Sequence, residues 1–251
     1  MKVKIAILFI FVYCTSLLVN LPAAFVFSLI PGNTINANNI TGTLWKGEAK
    51  KVAISNPNLI FKNVKWDIDL ISSLFSLTLE SKVSFYNGAS AMSGEGIVKY
   101  GMKGFSASDV RLNITSEELV PLLPMPLPAK ITGSFSVVIQ DYIQGAPYCE
   151  NLEGKVTWNN AYVSSSFGDI DLASPFVDLG CVEGNVSALI TQQSEQLSTN
   201  LGVKLTAGER YQLKGEVKGT NKLAPSIAQS LAWVGPVNDS GATEINFKGK
   251  L

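Results

Sequence analysis

The sequence predicts a mainly β protein, in which an N-terminal transmembrane helix precedes a long, curved antiparallel β-meander with two short helices. Three observations predict this fold class. The chain begins with a long apolar stretch, its later apolar residues recur at every second position, and clusters of Gly, Asn and Ser separate the alternating runs. Alternation with a period of two is typical of strands that bury one face, and the polar clusters supply turns.

The N-terminal stretch predicts a membrane anchor over residues 5–24, preceded by a cytoplasmic segment, residues 1–4. Residues 5–19 are almost wholly apolar, and a bilayer core of ~30 Å requires about 20 helical residues. Two lysines precede the stretch and no basic residue follows it closely, so the positive-inside rule places the rest of the chain outside the cytoplasm. A cleaved signal peptide is the alternative, although cleavage after Ala24 places Pro22 at an unfavourable position.

Alternating apolar residues fill the remainder of the chain. The clearest runs are Val110, Leu112 and Ile114; Phe135, Val137 and Ile139; Val186, Ala188 and Ile190; and Leu201, Val203 and Leu205. The proline-rich segment 121–128 cannot donate ladder hydrogen bonds. We therefore expect it to connect a first β half, residues 25–128, to a second half, residues 129–251. Short helices are predicted over residues 116–120 and 225–234, from their capping residues and prolines.

Glycines and tryptophans recur in similar strand settings. The glycines are Gly42, Gly133, Gly154, Gly184, Gly215 and Gly249. A glycine within a strand permits a bend or bulge, so their recurrence predicts a sheet that curls repeatedly in one sense; a glycine-rich β protein without a repeat is the alternative. The segments 42–45 and 154–158 indicate a weak internal duplication. The tryptophans Trp45, Trp66, Trp158 and Trp233 are expected to anchor the core rather than to stack on a ligand.

The composition excludes several function classes. The chain has no histidine, which removes Ser-His-Asp and Cys-His catalysis and imidazole metal sites. Its net charge of zero does not suit a nucleic-acid binder. The aspartate pairs at 67 and 69 and at 169 and 171 are interpreted as solvent-facing acids, rather than as acid–base pairs or cation ligands. We expect no enzyme activity, no metal and no cofactor.

Two cysteines lie in the predicted extracytoplasmic body. Cys149 and Cys181 are the only cysteines after Cys14, which lies in the apolar stretch. In an oxidising compartment an isolated pair of cysteines indicates a disulfide. Two unpaired buried thiols are the alternative.

The ordered motifs resemble those of the type II secretion system protein N family. They are GTLWKG with Gly42, Trp45 and Gly47; VKWDIDL with Trp66; LLPMPLP leading into TGSF with Gly133; the Cys149 segment with Gly154 and Trp158; and the Cys181 segment with Gly184. The resemblance implies a single-pass inner-membrane protein whose periplasmic β domain is an accessory part of the machine that exports folded proteins across the outer membrane. It implies no catalytic residues, and it favours the disulfide. The chain departs from the family in being poor in Arg and Pro.

Two functional hypotheses follow. The first is an interaction component that contacts other inner-membrane subunits of the secretion system, through free sheet edges that accept partner strands. The second is a periplasmic lipid-handling module of the AsmA-like type, in which the alternating apolar residues line a groove. A hydrolase is the weakest hypothesis, because nothing in the sequence pairs a nucleophile with a base.

Overall fold

The computed structural model describes residues 2–29, 35–55, 59–88, 91–123 and 128–250. The helices are α1 (Lys2–Val19), α2 (Ala23–Ser28), α3 (Leu70–Ser76), α4 (Ser116–Leu119) and α5 (Pro225–Val234), with a 3-10 helix over Val120–Leu122. The strands are β1 (Ile35–Gly42), β2 (Lys46–Ile54), β3 (Leu59–Ile68), β4 (Thr78–Tyr86), β5 (Ser93–Gly101), β6 (Gly104–Thr115), β7 (Lys130–Gln144), β8 (Cys149–Ser165), β9 (Gly168–Ala173), β10 (Phe176–Val182), β11 (Asn185–Gln193), β12 (Leu197–Thr206), β13 (Arg210–Gly219) and β14 (Thr243–Lys250).

Strand order follows chain order, except that β9 pairs with β8 alone. The chain divides into two compact units. Unit 1 comprises residues 1–87 and 97–103, and unit 2 comprises residues 88–96 and 104–251. All registered strand pairs within each unit are antiparallel. The predicted mainly β, antiparallel meander is thereby confirmed. The predicted curvature, the AsmA-like architecture and the division into halves at residue 128 stay predictions.

The apolar N-terminal stretch forms two helices instead of one. α1 ends at Val19 and α2 begins at Ala23, with Pro22 between them. Proline has no N–H to continue a helix, and its ring pushes the preceding Leu21 out of the helical region. The segment predicted as one anchor, residues 5–24, is thus divided between α1 and the start of α2. Among the described residues, no helix is both long enough and apolar enough to cross a membrane.

Unit 1 contains a helix that the sequence analysis did not predict. Asp69 caps α3, because one of its carboxylate oxygens accepts the Ser72 N–H at 3.0 Å. The helix ends at Leu77, which adopts a left-handed conformation with φ 52°. β4 begins one residue later. A helix of seven residues covers only about two turns, too few to reveal a 3.6-residue period.

The helices predicted in unit 2 are both present. α5 covers the predicted residues 225–234, and its Ile227 packs with Leu197, Val217 and Leu223 in a buried cluster at one end of the sheet. α4 begins where expected, but a 3-10 turn carries the chain through Pro121 to Leu122 instead of stopping before the proline. Residues 124–127 of the predicted connector lie outside the described residues.

Candidate interaction surfaces

The GTLWKG segment joins the N-terminal helices of unit 1 to its sheet. The Leu44 N–H donates to the Leu21 carbonyl at 2.8 Å, and the Trp45 indole N–H donates to the Leu18 carbonyl at 2.8 Å. The Trp66 indole N–H in turn donates to the Leu44 carbonyl at 2.9 Å. The first two bonds reach carbonyls in the last turn of α1 and in the linker behind it, which have no helical partner four residues further on. The segment therefore fixes where α1 leaves the sheet.

Close backbone packing explains the second glycine of this motif. A Cβ atom at Gly47 would lie 2.5 Å from Cζ2 of Trp66 and 2.7 Å from the Thr41 carbonyl oxygen. Gly42, the first glycine, ends β1, and its turn is closed by a hydrogen bond from the Thr43 N–H to the Lys46 carbonyl at 2.9 Å. The motif thus has a structural role.

Unit 2 repeats the tryptophan arrangement in a different sequence context. The Trp158 indole N–H donates to the Thr132 carbonyl at 2.9 Å, and its ring stacks on Phe135 with the centroids 5.0 Å apart. The neighbouring Gly133 has φ +109°, and a Cβ there would lie 2.4 Å from the Asn159 carbonyl oxygen. Only glycine adopts this conformation without strain.

Trp45, Trp66 and Trp158 share one kind of hydrogen bond. Each donates its indole N–H to a backbone carbonyl on a segment distant in sequence. The duplication itself stays a prediction.

The two remaining motif glycines occupy different positions. Gly154 is buried within β8, opposite Ile139 of β7. Gly184 lies in the turn between β10 and β11 with φ +78°, which corrects its expected place inside a strand. Its carbonyl accepts the Cys149 N–H at 3.3 Å. Beside it Cys149 and Cys181 form the predicted disulfide, with a Cα–Cα distance of 6.1 Å.

The sheet of unit 2 has one continuous apolar face. Paired residues of neighbouring antiparallel strands point to the same side, so the register defines two apolar rows across β6, β7, β8 and β10–β14. One row is Leu112, Val137, Val156, Val177, Ile190, Leu201, Gly215 and Ile245; the other is Val110, Ile139, Gly154, Leu179, Ala188, Val203, Leu213 and Phe247. We call these two rows the apolar face. Apart from the buried Gly154 and the exposed Phe247, its residues are half-buried.

The opposite side of the same strands is polar. Along β12–β14 it carries the basic residues Lys204, Arg210, Lys214, Lys248 and Lys250 and the acidic residues Glu216 and Glu244, because these residues alternate with those of the apolar face. A groove of about 530 Å³ lies on this side, and Asn200, Lys214 and Asn246 contribute to its lining. The two faces of unit 2 thus suit different chemical partners.

The aspartate pairs have local structural roles. Asp67 forms an exposed ion pair with Lys46 at 2.7 Å, and Asp69 caps α3. Asp169 accepts the Ser164 hydroxyl at 2.7 Å, and Asp171 accepts the Ala173 N–H at 2.8 Å. In the part of the chain that the structure describes, no cluster of three metal-ligating side chains occurs.

One predicted core tryptophan is instead exposed. Trp233, near the end of α5, exposes 91% of its surface. α5 turns Ile227 toward the sheet, and six residues, about 1.7 turns at 3.6 residues per turn, place Trp233 on the far side of the helix. The expectation of a core anchor is wrong for this residue.

In unit 2 one face of an antiparallel sheet is apolar and largely uncovered, and the sequence motifs of both units pack and form hydrogen bonds within the fold. These features are typical of a protein that acts through contact surfaces. The chain belongs to the type II secretion system protein N family: residues 33–246 match the model of the family described as type II secretion system (T2SS), protein N. The resemblance found in the sequence is thereby confirmed, and so is its coarse functional implication, a component of this secretion system.

Individual relatives match over most of their length. The chain is 30% identical over 247 residues to type II secretion system protein N of Vibrio cholerae serotype O1, covering 98% of this chain and 97% of that protein. It is 27% identical over 254 residues to the Aeromonas hydrophila protein of the same name, covering 100% and 99%. The Pectobacterium carotovorum subsp. carotovorum protein of that name is 26% identical over 210 residues, covering 84% and 82%. No solved structure matches the chain.

Proposed function

We propose that this protein is an accessory, non-catalytic component of the inner-membrane part of the type II secretion system, which exports folded proteins from the periplasm across the outer membrane. The family match over residues 33–246 carries the proposal. A chain without histidine lacks the usual general base near neutral pH. The aspartate pairs, the other candidates for acid–base chemistry, are engaged in capping and local hydrogen bonds.

In this proposal α1, although it is by itself too short for a bilayer of normal thickness, anchors the protein in the inner membrane. Its large apolar side chains are exposed all around the helix, with Phe9 exposing 72% of its surface, and lipid is the environment that such a surface favours. Eighteen residues extend for about 27 Å, close to the ~30 Å of a bilayer core. Local thinning of the bilayer accommodates a small mismatch. Lys2 and Lys4, in the first turn of α1, favour a cytoplasmic start by the positive-inside rule, and the disulfide suits an oxidising periplasm.

The contacts of Trp45 and Leu44 give the anchor a positioning role. Because Trp45 bonds a carbonyl in the last turn of α1 and Leu44 bonds one in the linker behind it, the proposal has the sheet of unit 1 begin directly at the membrane surface. Tethering raises the local concentration of weak binding surfaces near other inner-membrane subunits. A non-catalytic subunit would act in this way.

Gene deletion combined with fractionation tests the proposal. We expect secreted proteins to accumulate in the periplasm of the deletion strain, and the wild-type gene to restore secretion. A Trp45→Ala variant should restore it less well, whereas a Tyr86→Ala variant, which removes an exposed aromatic of unit 1, should restore it fully. Unchanged secretion in the deletion strain would refute the proposed role. Extraction of the full chain by alkaline carbonate would refute the anchor.

The apolar face of unit 2 favours a second candidate function, a lipid-handling module. Its rows cross eight strands, which corresponds to about 34 Å at a strand spacing of about 4.8 Å. The backbone groups of these inner strands pair within the sheet, so a ligand on this face meets side chains only. Aliphatic side chains without hydrogen-bonding groups suit the acyl chains of a phospholipid.

Native mass spectrometry of the full chain tests this second candidate. We expect co-purified phospholipid on the wild type, and at least a threefold lower occupancy on Val203→Asp, which places a carboxylate on the apolar face. The matched control is Gln212→Asp, which places the same group on the polar side. Equal occupancy in the two variants, or a wild type free of lipid, would exclude lipid handling by this face.

A further inference from the structure

The outer edge of β14 is partly occupied by the chain itself. The Glu244 N–H donates to the Pro236 carbonyl at 2.8 Å, and Val237 forms an isolated antiparallel bridge with Thr243. This short contact shows that the edge has the geometry to accept an added strand. It covers only the first residues of β14.

The rest of the edge carries outward backbone groups. Because Glu244 directs its N–H outward, the period of two directs the N–H and C=O of Asn246 and Lys248 outward as well. Within the described residues, the outward N–H and C=O groups of Asn246 and Lys248 have no hydrogen-bond partner beyond the sheet. β14 is the last strand in the strand order of the sheet. This edge is therefore a template for one more strand.

An apolar, uncharged segment adjoins this edge. No charged residue occurs from Leu223 to Asn238, and this segment exposes Trp233 and 60% of Val237. Gly235 places the segment against the edge, since a Cβ there would meet the Glu244 carbonyl oxygen. Depletion of charge around an exposed tryptophan is the composition of a protein–protein hot spot.

The charges beside the edge select the partner. Lys214, Lys248, Lys250 and Arg210 lie on the polar side of β13 and β14, where they outnumber Glu216 and Glu244, and none of the four forms an ion pair with the acidic residues described. A second, antiparallel copy of β14 would place only Glu244 against one lysine of each strand and would leave the other basic residues unpaired, so it matches these charges less well than a strand with several acidic residues. An added strand with acidic residues on this side would instead be attracted.

We propose that the outer edge of β14 binds an extended segment of a partner protein, in which apolar residues that continue the apolar face alternate with acidic residues that meet the lysines. Main-chain hydrogen bonds to Asn246 and Lys248 hold the segment, and Trp233 packs against it. The inference rests on the proposed function only in taking the partner to be another secretion subunit.

A synthetic peptide provides the probe. The full chain in mild detergent is titrated with a labelled, end-capped heptapeptide of alternating Val and Glu, and binding is followed by fluorescence anisotropy. We expect saturable binding below about 1 mM, an affinity range common for short peptides, and no binding of the corresponding Val and Lys peptide. A ¹³C-carbonyl label in the bound peptide should show the infrared amide I band of an antiparallel strand.

Two variants test the site itself. Lys248→Pro removes an outward N–H without removing a bond to β13, and should weaken peptide binding at least tenfold. Lys248→Gln, which removes only the charge, should weaken it about two- to fivefold, as exposed ion pairs do. Trp233→Ala should weaken it at least fivefold, whereas Phe167→Ala, at another exposed aromatic of unit 2, should leave it unchanged. Circular dichroism verifies that each variant is folded.

Several results would overturn the inference. These are no saturable binding of the acidic peptide, equal binding of the lysine peptide, or unchanged affinity in Lys248→Pro. Self-association abolished by Lys248→Pro would assign the edge to a second copy instead. Binding of anionic phospholipid vesicles that depends on Trp233, without peptide binding, would assign the segment to a membrane surface. Each of these outcomes leaves the proposed function intact if gene deletion still blocks secretion.

Discussion

The disulfide of unit 2 permits a quantitative prediction of stability. Replacing Cys149 and Cys181 together by alanine opens a loop with a sequence separation of 32. In the chain-entropy account, closing a loop of this length stabilises the folded state by about 3.7 kcal/mol. Cys149 exposes only 1% of its surface, so alanine is preferable to serine, whose hydroxyl would be buried without a partner.

Urea unfolding of the full chain in detergent measures this effect. Hydrogen exchange of peptides from β8 to β12 reports the unfolding of unit 2. We expect the midpoint of the double variant to fall by about 1–4 M urea, because the denaturant slope of such domains is about 1–3 kcal/mol per M. Cys14→Ala, at a free cysteine in α1, is the control and should not move the midpoint. Wild-type and double-variant midpoints within about 0.3 M of each other would refute the loop-closure reasoning.

Three further predictions concern single contacts. Gly47→Ala should destabilise unit 1 by about 1–3 kcal/mol through overpacking against an indole ring, whereas Gly202→Ala, where a Cβ has space, should not change the melting temperature of unit 2. Trp45→Phe removes the N–H bonded to α1 and should cost about 0.5–1.5 kcal/mol, seen as faster proteolysis between α1 and the sheet; an unchanged rate contradicts it. The hydrogen bond to Asp169 raises the pKa of Tyr162 above 10.0. The stability that this bond adds to the folded state is therefore present below pH 10 and is lost as the pH rises through the raised pKa. Asp169→Asn should therefore lower the pH at which Tyr162 ionises in an ultraviolet titration, and an unchanged curve would disprove the contact.

The strands and the faces of the sheet followed from the sequence, because a period of two is a local property. The alternating run from Leu201 to Leu205 predicted both β12 and the side of the sheet on which its leucines lie. α5 could equally be predicted from the sequence, because Pro225 and Gly235 mark its ends. By contrast, α3 depends on a single cap from Asp69, and the sequence analysis interpreted that aspartate only as a solvent-facing acid.

The candidate surfaces were only partly foreseeable. Alternation indicated an apolar face, but the edge beside Trp233 was missed, and the tryptophan was assigned to the core. The signal that would have found it is the uncharged stretch from Leu223 to Asn238, which is longer than a short helix needs. Whether such a segment is buried depends on what packs over it, which no local pattern encodes.

The sequence by itself determined the strand rhythm, the family and the exclusion of histidine chemistry, because composition, period and motif order are properties of the chain. The tertiary structure alone decided that the Trp66 and Trp158 indoles bond carbonyls distant in sequence, that Gly184 occupies a turn, and that the edge of β14 carries outward groups. Those outcomes depend on strand register. Register is a relation between segments, set by the packing of the whole face.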